Sequence, residues 1–170
     1  ECMVAIDVYV NETTRHADVI LPAPSALQKG HYDLALLQLA LRNVANYSEP
    51  ALPLEPGQPD AWEVFARLAP LLQGMGPDAD PAVLATAMVE HSVADEPSPI
   101  HGRSAAEILA ALEPRRGPER LLDLMLRTGP YGDGFGRGPD GLSLDKRLAH
   151  PHGIDLGPLQ PRLPEVLRTP

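Results

Sequence analysis

One carboxylate interrupts an apolar run near the start of the chain: Met3-Val4-Ala5-Ile6-Asp7-Val8-Tyr9-Val10. The run is β-branched and apolar almost throughout, the pattern of a strand buried on both faces, as in a parallel sheet. A lone Asp7 in such a strand must find a partner, because burying an unsatisfied charge is costly. Two readings compete. The carboxylate can face a ligand, since ligands in open α/β sheets bind outside the carboxyl ends of the strands. Alternatively, it caps the polar turn at residues 11–14.

Other residue types weigh less. Cys2 stands at the start of the same run and reads as a core thiol. His150 and His152 flank Pro151, and a His-x-His pair can chelate a metal on an extended chain. Two ligands do not complete a site, however, and no Cys or Glu pattern adds the rest, so a loop with locally bonded or solvent-facing histidines is the plainer reading. Residues 131–138, Tyr-Gly-Asp-Gly-Phe-Gly-Arg-Gly, have the glycine density of a phosphate cradle. They lack the flanking strand and helix of a dinucleotide fingerprint, and Asp133 has the wrong sign, so they read as a flexible surface loop. Arg115-Arg116 suits the carbonyls of a helix end and reads as solvated surface. Glu12 and Asp18 could pair for acid–base work, but spacing alone supports neither. No catalytic residue is assigned.

Composition bounds the classes. With 170 residues and 18.3 kDa the chain can form one domain with a real core. Aromatics are only 4%, so that core falls to Leu, Ala and Val. Twenty prolines and 14 glycines imply much loop. Lys and Arg total 14 against 23 Asp and Glu, a net charge of −9 that would repel a nucleic-acid backbone. Local backbone N–H groups could still hold a phosphorylated ligand. No apolar run approaches the roughly 20 residues of a membrane helix. The single cysteine excludes an internal disulfide, a Cys-based zinc site and an iron–sulfur cluster within the span. The chain opens inside a strand and stops without a closing element. It is therefore expected to be a piece of a longer polypeptide, and the lack of a signal peptide is uninformative.

The elements that must position these residues follow from periodicity and punctuation. After the first strand, residues 11–16 make a turn or one helical turn. Ala17-Asp18-Val19-Ile20-Leu21 is a second short strand, stopped by Pro22-Ala23-Pro24. Residues 33–41 lean to a helix with extended chain after it, and 46–58 form a Pro-rich surface connection. A helix starts at Pro59-Asp60 with Trp62, Phe65, Leu68 and Leu72 on one face and Gly74 as its stop. Asp80-Pro81 starts another that runs towards His91. Ser104 with Glu107 has capping-box spacing, and Pro114 ends that helix. Pro118-Glu119 opens a fourth, closed by Gly129, and residues 143–149 make a short one. The expected class is α/β. Residues 1–58 form part of a parallel-sheet domain, 59–128 a helical region packing on it, and 129–170 a Gly/Pro-rich connection.

The segment Asp7-Val8-Tyr9-Val10-Asn11-Glu12-Thr13-Thr14-Arg15-His16-Ala17-Asp18-Val19-Ile20-Leu21-Pro22 resembles a hallmark of the large molybdopterin oxidoreductases, which include formate dehydrogenases, nitrate reductases and dimethyl sulfoxide reductase. Their pattern is an apolar strand, an Asp, a Thr-containing turn and Ala-Asp-Val-Val/Ile-Leu-Pro. Residues 3–28 carry the match, and Gln58-Pro59-Asp60-Ala61-Trp62-Glu63 supports it. Asp145-Lys146, His150-Pro151-His152-Gly153 and Leu156-Gly157-Pro158 resemble formate-dehydrogenase-like members. This sequence has Asn11 where the family usually has Thr, and Gln28-Lys29-Gly30-His31-Tyr32-Asp33 replaces the family's later pterin-facing features.

The resemblance implies a Rossmann-like domain binding one of two molybdopterin guanine dinucleotides that chelate molybdenum or tungsten. Asp7 would bond the guanine base, and Asn11 would lie against the same nucleotide. Guanine presents adjacent N1–H and exocyclic N–H donors, a match for two carboxylate oxygens, and such charge-assisted bonds contribute roughly 1.5–3 kcal/mol. His16 and His31 flank the segment and could each meet a phosphate or sit on an exposed turn. The parent would be a cytoplasmic oxidoreductase moving two electrons with an oxygen atom or hydride. It would act on a small-molecule substrate, with an electron-transfer subunit and an iron–sulfur cluster elsewhere as candidates. Its remaining domains, in the same polypeptide, would supply the metal ligand and the other half of the pterin cradle, so this span alone is expected to be inactive. A non-enzymatic helical interaction module is the competing reading.

Overall fold

The structure, a computed structural model, describes residues 2–33, 37–76, 80 and 82–159. It is mixed α/β. Strands β1 (Val4–Asp7) and β2 (Val19–Pro22) pair in parallel, Val4 opposite Val19 and Asp7 opposite Pro22. The connection between them holds a single 3₁₀ turn, Thr14–His16, about as short as a parallel crossover can be. Strand β3 (His31–Tyr32) pairs antiparallel with β5 (Tyr47–Ser48), and β4 (Arg42–Ala45) pairs antiparallel with β6 (Ile154–Pro158).

Helices α1 (Ala61–Leu72), α2 (Val83–Ala94), α3 (Ala105–Ala111), α4 (Gly117–Thr128) and α5 (Leu144–Leu148) start near the expected signals. Ser104 accepts from Glu107 N–H and Ser143 from Lys146 N–H, the caps that fix α3 and α5. The core is the packing of α2, α3 and α4: Val89, Ile100, Ile108, Leu112 and Leu124, closed by Phe135. Isoleucine and one aromatic thus take places that composition assigned to Ala and Val.

Several expectations are corrected. Residues 34–36 of the expected helix over 33–41 lie outside the described residues. Leu37–Leu39 is one 3₁₀ turn, and the chain then runs extended into β4. Strand β6 was not foreseen, and its pairing ties residues 154–158 to 42–45. Cys2 is exposed and not a core thiol. Neither β1 nor β2 is buried on both faces, since Val4 is 50% exposed and Val19 45%. The Gly-rich loop is anchored: Arg127 grips Asp133 through Nε and Nη2 at 2.9 and 3.0 Å, and Phe135 enters the core beneath the Arg127 guanidinium, 4.1 Å away. Glycine is needed where that loop closes, because a Cβ at Gly141 would lie 2.3 Å from the Asp133 nitrogen. Arg115 is mostly buried between Asp123 and Asp145, since both acids come to it from elsewhere in the fold.

Candidate functional site

At its start, the β1–β2 unit is tied by Asp18: its Oδ2 accepts from Met3 N–H at 2.8 Å, and its own N–H donates to the Met3 carbonyl. At the far end, Ala23 N–H donates to the Asp7 carbonyl. The Asp7 side chain therefore sits at the carboxyl end of a parallel pair, where α/β sheets place ligands.

The turn that follows is built around Asn11. Its Oδ1 accepts from the N–H groups of Thr13 and Thr14 at 2.9 and 3.0 Å, starting the 3₁₀ turn as an Asx turn does. Its Nδ2 donates to Asp7 Oδ2 at 2.7 Å, and Val8 N–H donates to Asp7 Oδ1 at 2.7 Å. Thr14 is buried; its Oγ1 accepts from Asn11 N–H at 2.8 Å and donates to the Tyr9 carbonyl at 3.4 Å. Each Asp7 oxygen thus holds one protein donor. An ionised carboxylate offers about four acceptor positions, so capacity remains for two further donors. The sequence reading missed Thr14, although Asn-x-x-Thr spacing is a signal for such a turn.

The structure brings Asp7 and Asn11 together. His16 and His31 are exposed, and Glu12 pairs with Arg15 at 2.9 Å on the surface. His150 Nδ1 lies 2.7 Å from the Lys146 carbonyl, while His152 lines a separate cleft with Asn46 and Asp155. Among the described residues, no three His, Cys, Asp or Glu side chains are grouped so as to hold a metal ion.

Two other polar clusters are occupied by structural bonds. Asp123 is fully buried on α4: Oδ1 accepts from Leu144 N–H at 2.8 Å, and Oδ2 meets Arg115 at 3.1 Å. Burial pushes its carboxyl above the usual range, outweighing the downward pull of Leu144 N–H, Arg115 and Arg127. Tyr47 O–H donates to Glu119 Oε1 at 2.7 Å, and burial followed by that bond raises the phenol far above its ordinary value. Such a phenol is no acid or base near neutrality. An open groove of about 250 Å³ lies between α4 and β4, lined mainly by Leu122, Met125, Leu126, Tyr131, Leu142 and Leu156. Its walls are mostly apolar, with Tyr32, Arg42, Asn43 and Tyr131 as the polar residues.

No family model, curated protein or solved structure matches the chain. Among the described residues, no helix is long and apolar enough to cross a membrane.

Proposed function

We propose that the chain is a segment of a molybdopterin-dependent oxidoreductase, most like a formate dehydrogenase. In this reading β1 and β2 belong to a Rossmann-like domain holding the guanine end of a molybdopterin guanine dinucleotide. The observation that carries it is the Asp7 carboxylate, which ends a parallel strand with each oxygen bound once from the protein side. Two adjacent acceptor positions suit guanine's N1–H and exocyclic N–H. A negative group there would repel the dinucleotide's phosphates, so Asp7 belongs at the base end. The exposed apolar side chains of β1 and β2 are consistent with a sheet covered by further domains of the same polypeptide.

When bound, the metal–pterin group supplies the redox chemistry, while the residues of this span bind and orient the nucleotide. A full-length Asp7→Ala variant is expected to purify with less molybdenum or tungsten and less guanine dinucleotide. Unchanged cofactor content would count against the assignment.

A second reading, a helical interaction module without enzymatic activity, is favoured by α1. That helix buries no residue fully, and Leu72 is 87% exposed. It requires residues 59–150 to fold alone and capture a partner. The bonds from Arg147 to Asn46 and Tyr47 weigh against it, and a disordered isolated segment would remove it.

A further inference from the structure

The side chain of Asn11 faces inward, and its hydrogen bonds fix which way its amide points. Oδ1 lies against two N–H donors, of Thr13 and Thr14, and Nδ2 lies against a carboxylate oxygen. A flipped amide would put oxygen against oxygen at Asp7 and nitrogen against two donors, so the network admits one orientation. Three of the four hydrogen-bonding positions of this amide are therefore spent inside the turn. The bond to Asp7 ties the carboxylate to a turn that Thr14 Oγ1 also braces from below.

Resting on the guanine reading above, we infer that Asn11 is a positioning residue: it acts on the purine edge through Asp7, by holding the carboxylate in one orientation, and not by a contact of its own. Two donors on a planar base recognise a carboxylate only when both oxygens lie in the plane of the base. A half-buried carboxylate at a strand end otherwise rotates and loses conformational freedom on binding. Asn11 and Val8 N–H, one on each oxygen, remove that freedom before the ligand arrives.

The test uses the whole chain, with guanosine diphosphate and adenosine diphosphate as probes. Asn11→Ser keeps an acceptor for the Thr13 and Thr14 N–H groups but is too short to reach Asp7 as well. Asn11→Ala removes both functions. In the ligand-free protein, side-chain couplings of Asp7 should report one rotamer in the wild type and averaging in both variants. Slow hydrogen exchange at Thr13 and Thr14 should persist in Asn11→Ser and be lost in Asn11→Ala. With guanosine diphosphate, Asn11→Ser should weaken binding about three- to tenfold, the scale of ordering one side chain on binding. In an Asp7→Ala background the same change should alter binding less than about twofold, since distant effects add and coupled ones do not.

An equal loss in both backgrounds would show that Asn11 touches the nucleotide itself and would overturn the inference. So would a single Asp7 rotamer in Asn11→Ser, whatever the nucleotide does. If the wild type does not prefer guanosine over adenosine diphosphate, and Asp7→Ala changes nothing, it is the guanine reading that fails. The rotamer measurement then still decides whether Asn11 positions Asp7.

Discussion

Arg147 donates through Nη2 to the main-chain carbonyl of Tyr47 at 2.8 Å, across 100 residues of sequence. The same nitrogen reaches Asn46 Oδ1 at 2.7 Å, and Nη1 donates to the His150 carbonyl. The guanidinium is 2% exposed, its bonded acceptors are all neutral, and Nε has no hydrogen-bond partner among the described residues. One planar group thus fastens α5 to the strand pair β3–β5.

Arg147→Ala is expected to destabilise the chain by about 3 kcal/mol, because the buried Tyr47 carbonyl and two part-buried acceptors, Asn46 Oδ1 and the His150 carbonyl, lose a charged donor together. Arg147→Lys should recover little, since a single ammonium cannot replace the planar fork. Urea unfolding of the three proteins measures this; a loss under about 1 kcal/mol for either variant would show that the fastening is dispensable.

Asp123 gives a pH-dependent effect. Its carboxyl is raised above the ordinary 3.8 by burial, although Leu144 N–H, Arg115 and Arg127 oppose the shift and Asp145 adds to it. The folded chain therefore binds this proton more tightly than the unfolded one, and the group's contribution to stability falls as pH rises from 3.8 through the raised value. In Asp123→Asn that slope disappears. The stability of wild type minus variant should be most favourable below 3.8 and shrink across the window just above it. A difference that grows with pH would mean that the ion pairs with Arg115 and Arg127 dominate.

Gly117 opens α4 with φ +49°, and a Cβ there would lie 2.4 Å from the Trp62 indole. Both the backbone region and the close approach demand glycine. Gly117→Ala should cost about 1–3 kcal/mol. Because Trp62 is the sole tryptophan, its fluorescence should shift at the same time. An unchanged spectrum and midpoint would indicate that α1 does not rest on α4 in solution.

The helices were legible because their signals are local. Ser104 and Ser143 cap the helices they precede, and Gly129 follows the last residue of α4. The two strands and the turn between them were legible for the same reason: two short apolar runs, the polar residues 11–16 and the Pro22 stop lie within 20 residues. Strand β6 was not, because its pairing with Arg42–Ala45 spans over 100 residues and leaves no local trace. Arg115 looked like surface, since a run of two arginines does not reveal that Asp123 and Asp145 converge on one of them. Asp7 could be singled out as the one carboxylate interrupting an apolar run, but the inward use of the Asn11 amide needed three-dimensional geometry.

Leu72 bears on the competing reading. It is 87% exposed at the end of α1, so Leu72→Gln should change the stability of the chain by no more than about 0.5 kcal/mol. Differential scanning measures it. A loss above about 2 kcal/mol would mean that α1 is covered by this chain itself, leaving no free face for a partner.

The guanine assignment is tested most directly by a structure of the cofactor-loaded parent enzyme, read at the carboxyl end of β1. Guanine N1 and its exocyclic nitrogen are expected within about 2.7–3.2 Å of the two Asp7 oxygens, with Asn11 Nδ2 still on Oδ2. Asp7 turned to solvent, with the guanine bound by other residues, would contradict it.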